Sequence, residues 1–382
     1  MNVLVYGGGQ LARMMYLAGC PLGIHVRAVD VNKEQVINPV SKAPNKVSLA
    51  DAIDQADVIT VEFEHIPDRL LEIAEQTGKL KPGINAIQAG ADRVKEKSLL
   101  SHLDIPTAKY AILDDVEKLP DIVQQLGTPL VLKASRDGYD GYGQWRLKQT
   151  KDMALLQQEL SKLNLSTVPV IVEQMVPFER ELSLVGVRSA KGKFAFYPLA
   201  ENHHFQGQLH LSTAPAPRLS KALQQLAEQY FIRLAENLNY VGVLAVEFFQ
   251  VGDALLVNEI APRVHNSGHW TMQGADTCQF ENHLRAVCGL PLGCTEYRAC
   301  TSMVNIIGVG TFSRDMLEIP GCHIHWYGKS ARPKRKLGHF NVSAENYKVL
   351  SERLLELEKH LPDEYFPLLK SGAQELLKAH NS

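Results

Sequence analysis

Two glutamates, Glu247 in "AVEFF" and Glu259 in "VNEIAPR", are the side chains of this 382-residue chain whose spacing points most directly to chemistry. Each lies in a run that reads as a β-strand, and Gly252-Asp253 between the runs reads as a tight turn. A hairpin sets such residues on neighbouring strands, and side chains on one face then stand about 5 Å apart at Cβ. Two like charges that close repel unless a cation lies between them. Hard oxygen ligands of this kind suit Mg²⁺, which one or two carboxylates hold together with phosphate oxygens. Asn258 would add another oxygen. Two solvent-facing glutamates would show the same spacing, but Val246, Phe248, Phe249, Val257 and Ile260 describe an otherwise buried hairpin.

Four further stretches carry polar groups in suggestive patterns. In "LVLKASRDGYDGYGQW", residues 130–145, Lys133 ends an apolar strand and Gly138, Gly141 and Gly143 space out the loop after it. Glycines let backbone N–H groups approach phosphate oxygens, and a lysine supplies a point charge for the same oxygens. A plain glycine-rich hairpin with a solvated lysine fits those residues too. In "VIVEQMVPFERELSLVG", residues 170–186, Glu173 and Glu181 stand either side of a turn at Pro177 and offer acceptors for a ribose, although any β-hairpin can carry two glutamates. "NEIAPRVHNSGHW", residues 258–270, crowds Arg263, His265 and Asn266 directly behind Glu259. "YGKSARPKRKLGH", residues 327–339, is a basic run that reads either as a solvated loop or as a phosphate clamp. Near the start, Gly7, Gly9 and Ala12 fit G-x-G-x-x-G/A after a strand, with Asp30 closing the next one, which is how dinucleotide-binding domains often begin.

The elements that must position these groups follow from periodicity. "NVLVY", "IHVRAVD" and "ADVITVEF" read as strands, and "QLARMMYLAG" and "PDRLLEIAEQTG" as helices closing on glycine, so the first 90 residues or so form a small parallel α/β domain. A helix at "ADRVKEKSLLSHL" leads to a strand-rich stretch: "TPLVLKAS", "GQWRLKQ", "PVIVEQMV", "ELSLVGV" and "KFAFYPLAE", interrupted by the helix "DMALLQQELSKL". A helical segment at 219–239 precedes the two glutamate strands, and a last portion from about 295 holds "SMVNIIGVG", the basic run and an amphipathic helical end. Apolar content of 45% and charged content of 21% describe a soluble globular chain of two or three domains. A net charge of −2 argues against a general nucleic-acid binder. No membrane span and no signal peptide is visible, and six cysteines without a C-x-x-C pair read as reduced cytosolic thiols.

Taken in order, "GGGQLARM", "KASRDGYDGYGQ", "VEQMVPF", "NEIAPRVHNSGHW" and "RPKRKLGH" resemble the ATP-grasp superfamily, and within it the 5-(carboxyamino)imidazole ribonucleotide synthases of microbial purine synthesis. The resemblance runs from residue 1 to about 345. It implies a mixed α/β and α+β chain. A parallel α/β domain (1–95) precedes an ATP-grasp domain (96–295) with a mobile subdomain at about 110–185, and a small C-terminal domain (296–382) follows. It implies ATP contacts from Arg93, Lys133 and the loop Gly138, Tyr139, Asp140, Gly141, Tyr142, Gly143 and Gln144. Glu173, Gln174, Met175 and Val176 would frame the adenine, Glu181 would hold the ribose near His204, and Asn258 and Glu259 would complete the nucleotide site. Glu247 and Glu259 would hold Mg²⁺. Gly9, Gln10, Leu11, Glu64, Arg263, His265, Asn266, Lys329, Arg335 and Lys336 would bind the ribonucleotide, the last three near its phosphate. Asp140, Arg263 and Lys329 take the catalytic positions. Tyr142 stands where the resemblance leads one to expect a basic residue, so only backbone contacts to the phosphates carry over there.

The implied activity is ATP- and bicarbonate-dependent carboxylation of the amine of 5-aminoimidazole ribonucleotide through carboxyphosphate, by a cytoplasmic homodimer that binds neither nucleic acid nor membrane. A formate-dependent glycinamide ribonucleotide transformylase would share the ATP site and differ in the amine substrate. An NAD-dependent oxidoreductase explains Gly7, Gly9 and Asp30 but leaves both glutamates and the basic run unused. A non-catalytic nucleotide-binding module leaves the metal ligands without a purpose.

Overall fold

The computed structural model of the chain describes residues 1–136 and 143–381. Its first sheet holds β1 (Asn2–Tyr6), β2 (His25–Asp30), β3 (Gln35–Ile37) and β4 (Val58–Val61) in the order β3-β2-β1-β4. β1 pairs in parallel with β2 and β4, and its nearly continuous apolar run is what a strand covered on both faces requires. Val3 and Val5 pack toward α1 (Gln10–Gly19). Leu4 and Tyr6 pack toward α2 (Leu49–Gln55), α3 (Asp68–Gln76) and α4 (Ile84–Ala91). One strand departs from the expected parallel layout: β3 runs antiparallel to β2. The link between them, residues 31–34, is far too short for the crossover that a parallel pair needs.

From α5 (Arg93–His102) the chain enters a second sheet, made of β5 (Tyr110–Leu113), β6 (Leu130–Ala134), β7 (Gln144–Leu147) and β8 (Val170–Gln174) in the order β5-β8-β6-β7, antiparallel throughout. Leu130, Leu132, Val170 and Val172 pack into one core with α6 (Leu119–Leu126) and α7 (Met153–Leu160). Successive strand residues alternate faces, so Val131, Lys133 and Glu173 are turned to the other side.

The third sheet takes β9 (Arg180–Arg188), β10 (Phe194–Phe196), β11 (Ala200–Phe205), β12 (Gln208–Ala214), β13 (Gly242–Val251), β14 (Ala254–Ala261), β15 (Cys300–Ile307), β16 (Cys322–Trp326) and β17 (Lys336–Ala344). Its order is β14-β13-β9-β11-β12-β15-β17-β16, with β10 paired to β9. "KFAFYPLAE", expected as one strand, is divided between β10 and β11 around Pro198, which has no N–H for a ladder. α8 (Lys221–Asn237) covers one face of β9, β13 and β14. α9 (Thr271–Gly274) precedes α10 (Gln279–Val287), which packs between the other face and α1, joining the first sheet to the third through one core. α11 (Tyr347–Glu358) and α12 (Leu369–Asn381) close a separate core over β15 and β17. The β12–β15 pairing makes the strands expected in the C-terminal domain an extension of this sheet.

β8 and β9 are separated by residues 175–179 alone, yet they belong to different sheets. "VEQMVPFERELS" is therefore a crossing between two layers and not the hairpin its turn residues allow.

Candidate active site

The β13–β14 hairpin places Glu247 directly opposite Glu259, and a bulge follows between Glu247 and Phe248. Directly paired residues share a face. Val246 and Phe248 go into the core under α8 while the two carboxylates face the cleft. Glu247 is buried. Its carboxyl is pushed up by desolvation and by the neighbouring Glu259 charge. Burial acts on Glu259 in the same direction, but Arg93, 3.2 Å from its Oε2, and Lys133 outweigh it and hold this carboxyl down. His265 Nε2 lies 3.5 Å from Glu247 Oε1 and is kept neutral by burial and by Arg263.

These carboxylates line a cleft of about 640 Å³ between the second and third sheets. A drug-sized or nucleotide-sized ligand needs about 300–1,000 Å³. Every described residue of the expected nucleotide set lines it: Arg93, Lys133, Gly143, Gln144, Glu173, Gln174, Met175, Val176, Glu181, His204, Asn258 and Glu259. Gly138, Tyr139, Asp140, Gly141 and Tyr142 lie outside the described residues. Lys133 Nζ is 2.6 Å from Glu173 Oε2 and donates to Asn258 Oδ1 at 3.1 Å. Glu173 also receives Lys97, at 2.6 Å, and its carboxyl is held down at about 2 because the two lysines overcome the effect of burial. Both oxygens of Glu173 are thus engaged by protein. Glu181 lies 2.9 Å from His204 Nδ1 and, against burial, holds that ring toward its charged form. Phe178 and Phe249 stack at 4.6 Å between centroids and give the cleft an apolar wall.

A second cluster lies at the N-terminus of α1. Gly9, the residue before the helix, has no side chain to cap it, so the free amides need an acceptor from elsewhere. Glu62, just after β4, supplies it: the N–H groups of Gly9 and Ala12 both donate to its carboxylate, the latter at 2.9 Å. A Cβ on Gly9 would sit 2.6 Å from Glu62 Oε1. The opening glycines therefore seat this carboxylate. Asp30, the other half of the dinucleotide pattern, is used by the turn after β2, accepting from Asn32 N at 3.2 Å and Lys33 N at 3.3 Å.

Lys329 Nζ donates to Gln10 Oε1, and Lys42 Nζ reaches Gly9 O at 3.3 Å. Burial pushes the Lys329 amine down to about 8. Arg335 stands close enough to add to that effect and itself donates to Ser330 Oγ at 2.8 Å. Leu11 turns its side chain into the core, so only its backbone is available to a ligand. Arg263 joins the two clusters: its Nε lies 2.8 Å from Glu64 Oε1, and its charge acts on both Glu259 and Glu62. His265, Asn266 and Lys336 line the cleft, and the buried Nδ2 of Asn266 has no hydrogen-bond partner among the described residues. A buried donor without a partner is rare and marks a place for an acceptor.

Three residues escaped the sequence reading. Glu62 and Glu64 are two apart in "TVEFEH", and alternation gives both the same face; the uncapped glycine at the start of α1 is the signal that favours Glu62 as its partner. Lys97 reads as one polar position of a helix, and Lys42 as part of a loop. Neither has a local signature.

Comparison with known proteins gives one consistent result. A ribonucleotide synthetase preATP-grasp domain matches residues 1–90, an ATP-grasp domain residues 98–280, and a phosphoribosylaminoimidazole carboxylase C-terminal domain residues 301–353. An N5-carboxyaminoimidazole ribonucleotide synthase from Vibrio cholerae is 50% identical, over 98% of this chain and 100% of that protein. The crystal structure of N5-carboxyaminoimidazole ribonucleotide synthetase from Thermus thermophilus has a TM-score of 0.85 at 42% identity, covering 94% of this chain and 98% of that one. An Aspergillus clavatus N5-carboxyaminoimidazole synthase, solved in complex with ADP and 5-aminoimidazole ribonucleotide, has a TM-score of 0.82 at 29% identity, covering 94% and 97%.

Proposed function

Because this chain belongs to the N5-carboxyaminoimidazole ribonucleotide synthase family, we infer that it uses ATP to carboxylate the amine of 5-aminoimidazole ribonucleotide with bicarbonate, releasing ADP and phosphate. The observation that carries the reading is the Glu247–Glu259 pair, in register on one hairpin, at the wall of a nucleotide-sized cleft that also holds Lys133 and Arg93.

Phosphoryl transfer asks a protein for positioning and charge neutralisation more than for covalent chemistry. The stacked wall of Phe178 and Phe249 and the crossing at residues 174–176 suit a purine base, and Glu181 suits the ribose hydroxyls. Lys133 and Arg93 would meet the phosphates. The Glu247–Glu259 pair fits Mg²⁺, since one buried carboxylate stands beside a second and beside a neutral histidine. When bound, the ion would neutralise the charge of these carboxylates and of the phosphates.

Bicarbonate attacks the γ-phosphate to give carboxyphosphate and ADP. Carboxyphosphate then releases CO₂ beside the exocyclic amine of the ribonucleotide, which attacks it, and the departing phosphate takes the proton. Lys329, Arg335 and Lys336 would hold the ribonucleotide phosphate, while Gln10 and Arg263 orient it. Asp140, outside the described residues, would help the glycine loop exclude water from the short-lived intermediate. Cytoplasmic ATP and a phosphorylated substrate would supply such an enzyme there.

The test is ADP release with ATP, Mg²⁺, bicarbonate and 5-aminoimidazole ribonucleotide, omitting one at a time. Full turnover should require all four, and formate should not replace bicarbonate. ADP release that depends on formate and ignores bicarbonate would overturn the reading in favour of the transformylase reaction.

A further inference from the structure

Lys97 is a lysine of this region that no step of the reaction uses. It sits on α5, its side chain is 2% exposed, and its Nζ lies 2.6 Å from Glu173 Oε1 and 2.6 Å from Thr107 Oγ1, with Asn258 O at 3.4 Å. The other oxygen of Glu173 takes Lys133, whose side chain is 13% exposed and lies on the cleft wall. One carboxylate is thus shared by two ammonium groups. The first is locked into the protein interior, while the second opens onto the place where ATP phosphates would lie.

The difference in position sets the roles. A buried carboxylate left without a counter-ion is strongly disfavoured. If Lys133 were the sole partner of Glu173, turning it toward a phosphate would strand that charge. With Lys97 in place, Glu173 stays paired whichever way Lys133 points. Desolvation alone would raise the Glu173 carboxyl, yet it is held down at about 2, as a group served by two cations should be. We propose that Lys97 is a positioning residue: the permanent counter-ion of Glu173 that frees Lys133 to exchange between this carboxylate and the polyphosphate of ATP. The inference rests on the assignment of the cleft to ATP and of Lys133 to its phosphates.

Calorimetric titration with ADP and with a non-hydrolysable ATP analogue, on the full chain, separates the possibilities. Lys97→Met should weaken ATP-analogue binding by roughly tenfold or more, the scale on which losing one partner of a buried charge pair acts. In the Glu173→Gln background the same Lys97→Met change should alter the affinity by less than about threefold, because no carboxylate remains to hold Lys133. A residue needed for the fold independently of Glu173 would show no such dependence on it. Wild-type affinity in Lys97→Met overturns the proposal. So does a tenfold loss from Lys97→Met in the Glu173→Gln background, and that comparison stands even where the single variant does not fold. Lys133→Met checks the underlying assignment: if it binds the analogue like the wild type, the role of Lys133 falls and the proposal with it. If Lys133→Met loses binding while Lys97→Met does not, the proposal alone falls.

Discussion

The Lys329 amine has been brought down to about 8, chiefly by burial, with Arg335, Lys42 and Lys336 adding repulsion and Glu62 opposing it. Below that pH the group is charged and attracts a phosphate; above it the charge is lost. For the free enzyme, kcat/KM for 5-aminoimidazole ribonucleotide is therefore expected to fall as pH rises through about 8, while the KM for ATP stays level. Lys329→Arg, charged throughout, should remove the fall. A wild-type profile with no inflection near pH 8 would exclude Lys329 from substrate binding. Much of the site at this scale is legible in the sequence, since side chains next to a glycine loop or a strand end advertise themselves. Glu62 is harder to see, because its importance comes from amides 50 residues earlier. Lys97 is harder still, because burial turns an ordinary helical lysine into half of an ion pair, and burial is a property of the neighbours.

Elements tell a similar story one level up. The β13–β14 hairpin is readable from its two apolar runs and the glycine turn between them, but plain alternation from that turn would set Glu247 opposite Asn258; the bulge after Glu247 shifts the register by one residue and brings Glu259 opposite instead. Alternation also gives the hairpin its anchor: Phe248, 1% exposed, goes under α8 beside Tyr230. Phe248→Ala is expected to cost about 3–5 kcal/mol of stability, the range for emptying a buried aromatic site. Equilibrium denaturation would measure it, and a loss under about 1 kcal/mol would mean the hairpin is held elsewhere. The sequence could not show which sheet each strand joins. β8 and β9 have the composition and turn of a hairpin, and only the long-range pairings, β8 with β6 and β9 with β13, pull them into separate layers. β3 likewise takes its direction from the length of a connection and not from its own residues.

For the molecule as a whole, the cleft between two sheets means that a nucleotide bound there touches both. Ligand at about 100 times its Kd adds ~2.7 kcal/mol to the folded state. That gain should appear as slower amide hydrogen exchange in β6 and β8 together with β13 and β14, and protection confined to one of the two sheets would place the nucleotide elsewhere. The three sheets do not coincide with the three domains that the sequence suggests: the second and third both hold strands between 96 and 295, and the third runs on through β12–β15 into the C-terminal portion, a pairing with no local code. That joint has a practical meaning. The acidic hairpin and the start of β17, where Lys336 sits, are rungs of a single hydrogen-bonded lattice, whereas the adenine end is also bounded by a separate layer, joined through residues 103–109 and the five-residue strap at 175–179. One end of the reaction is therefore gauged within one sheet and the other across two. Analogues with altered purine rings should be forgiven, and acceptors whose amine and phosphate are a bond too far apart should not.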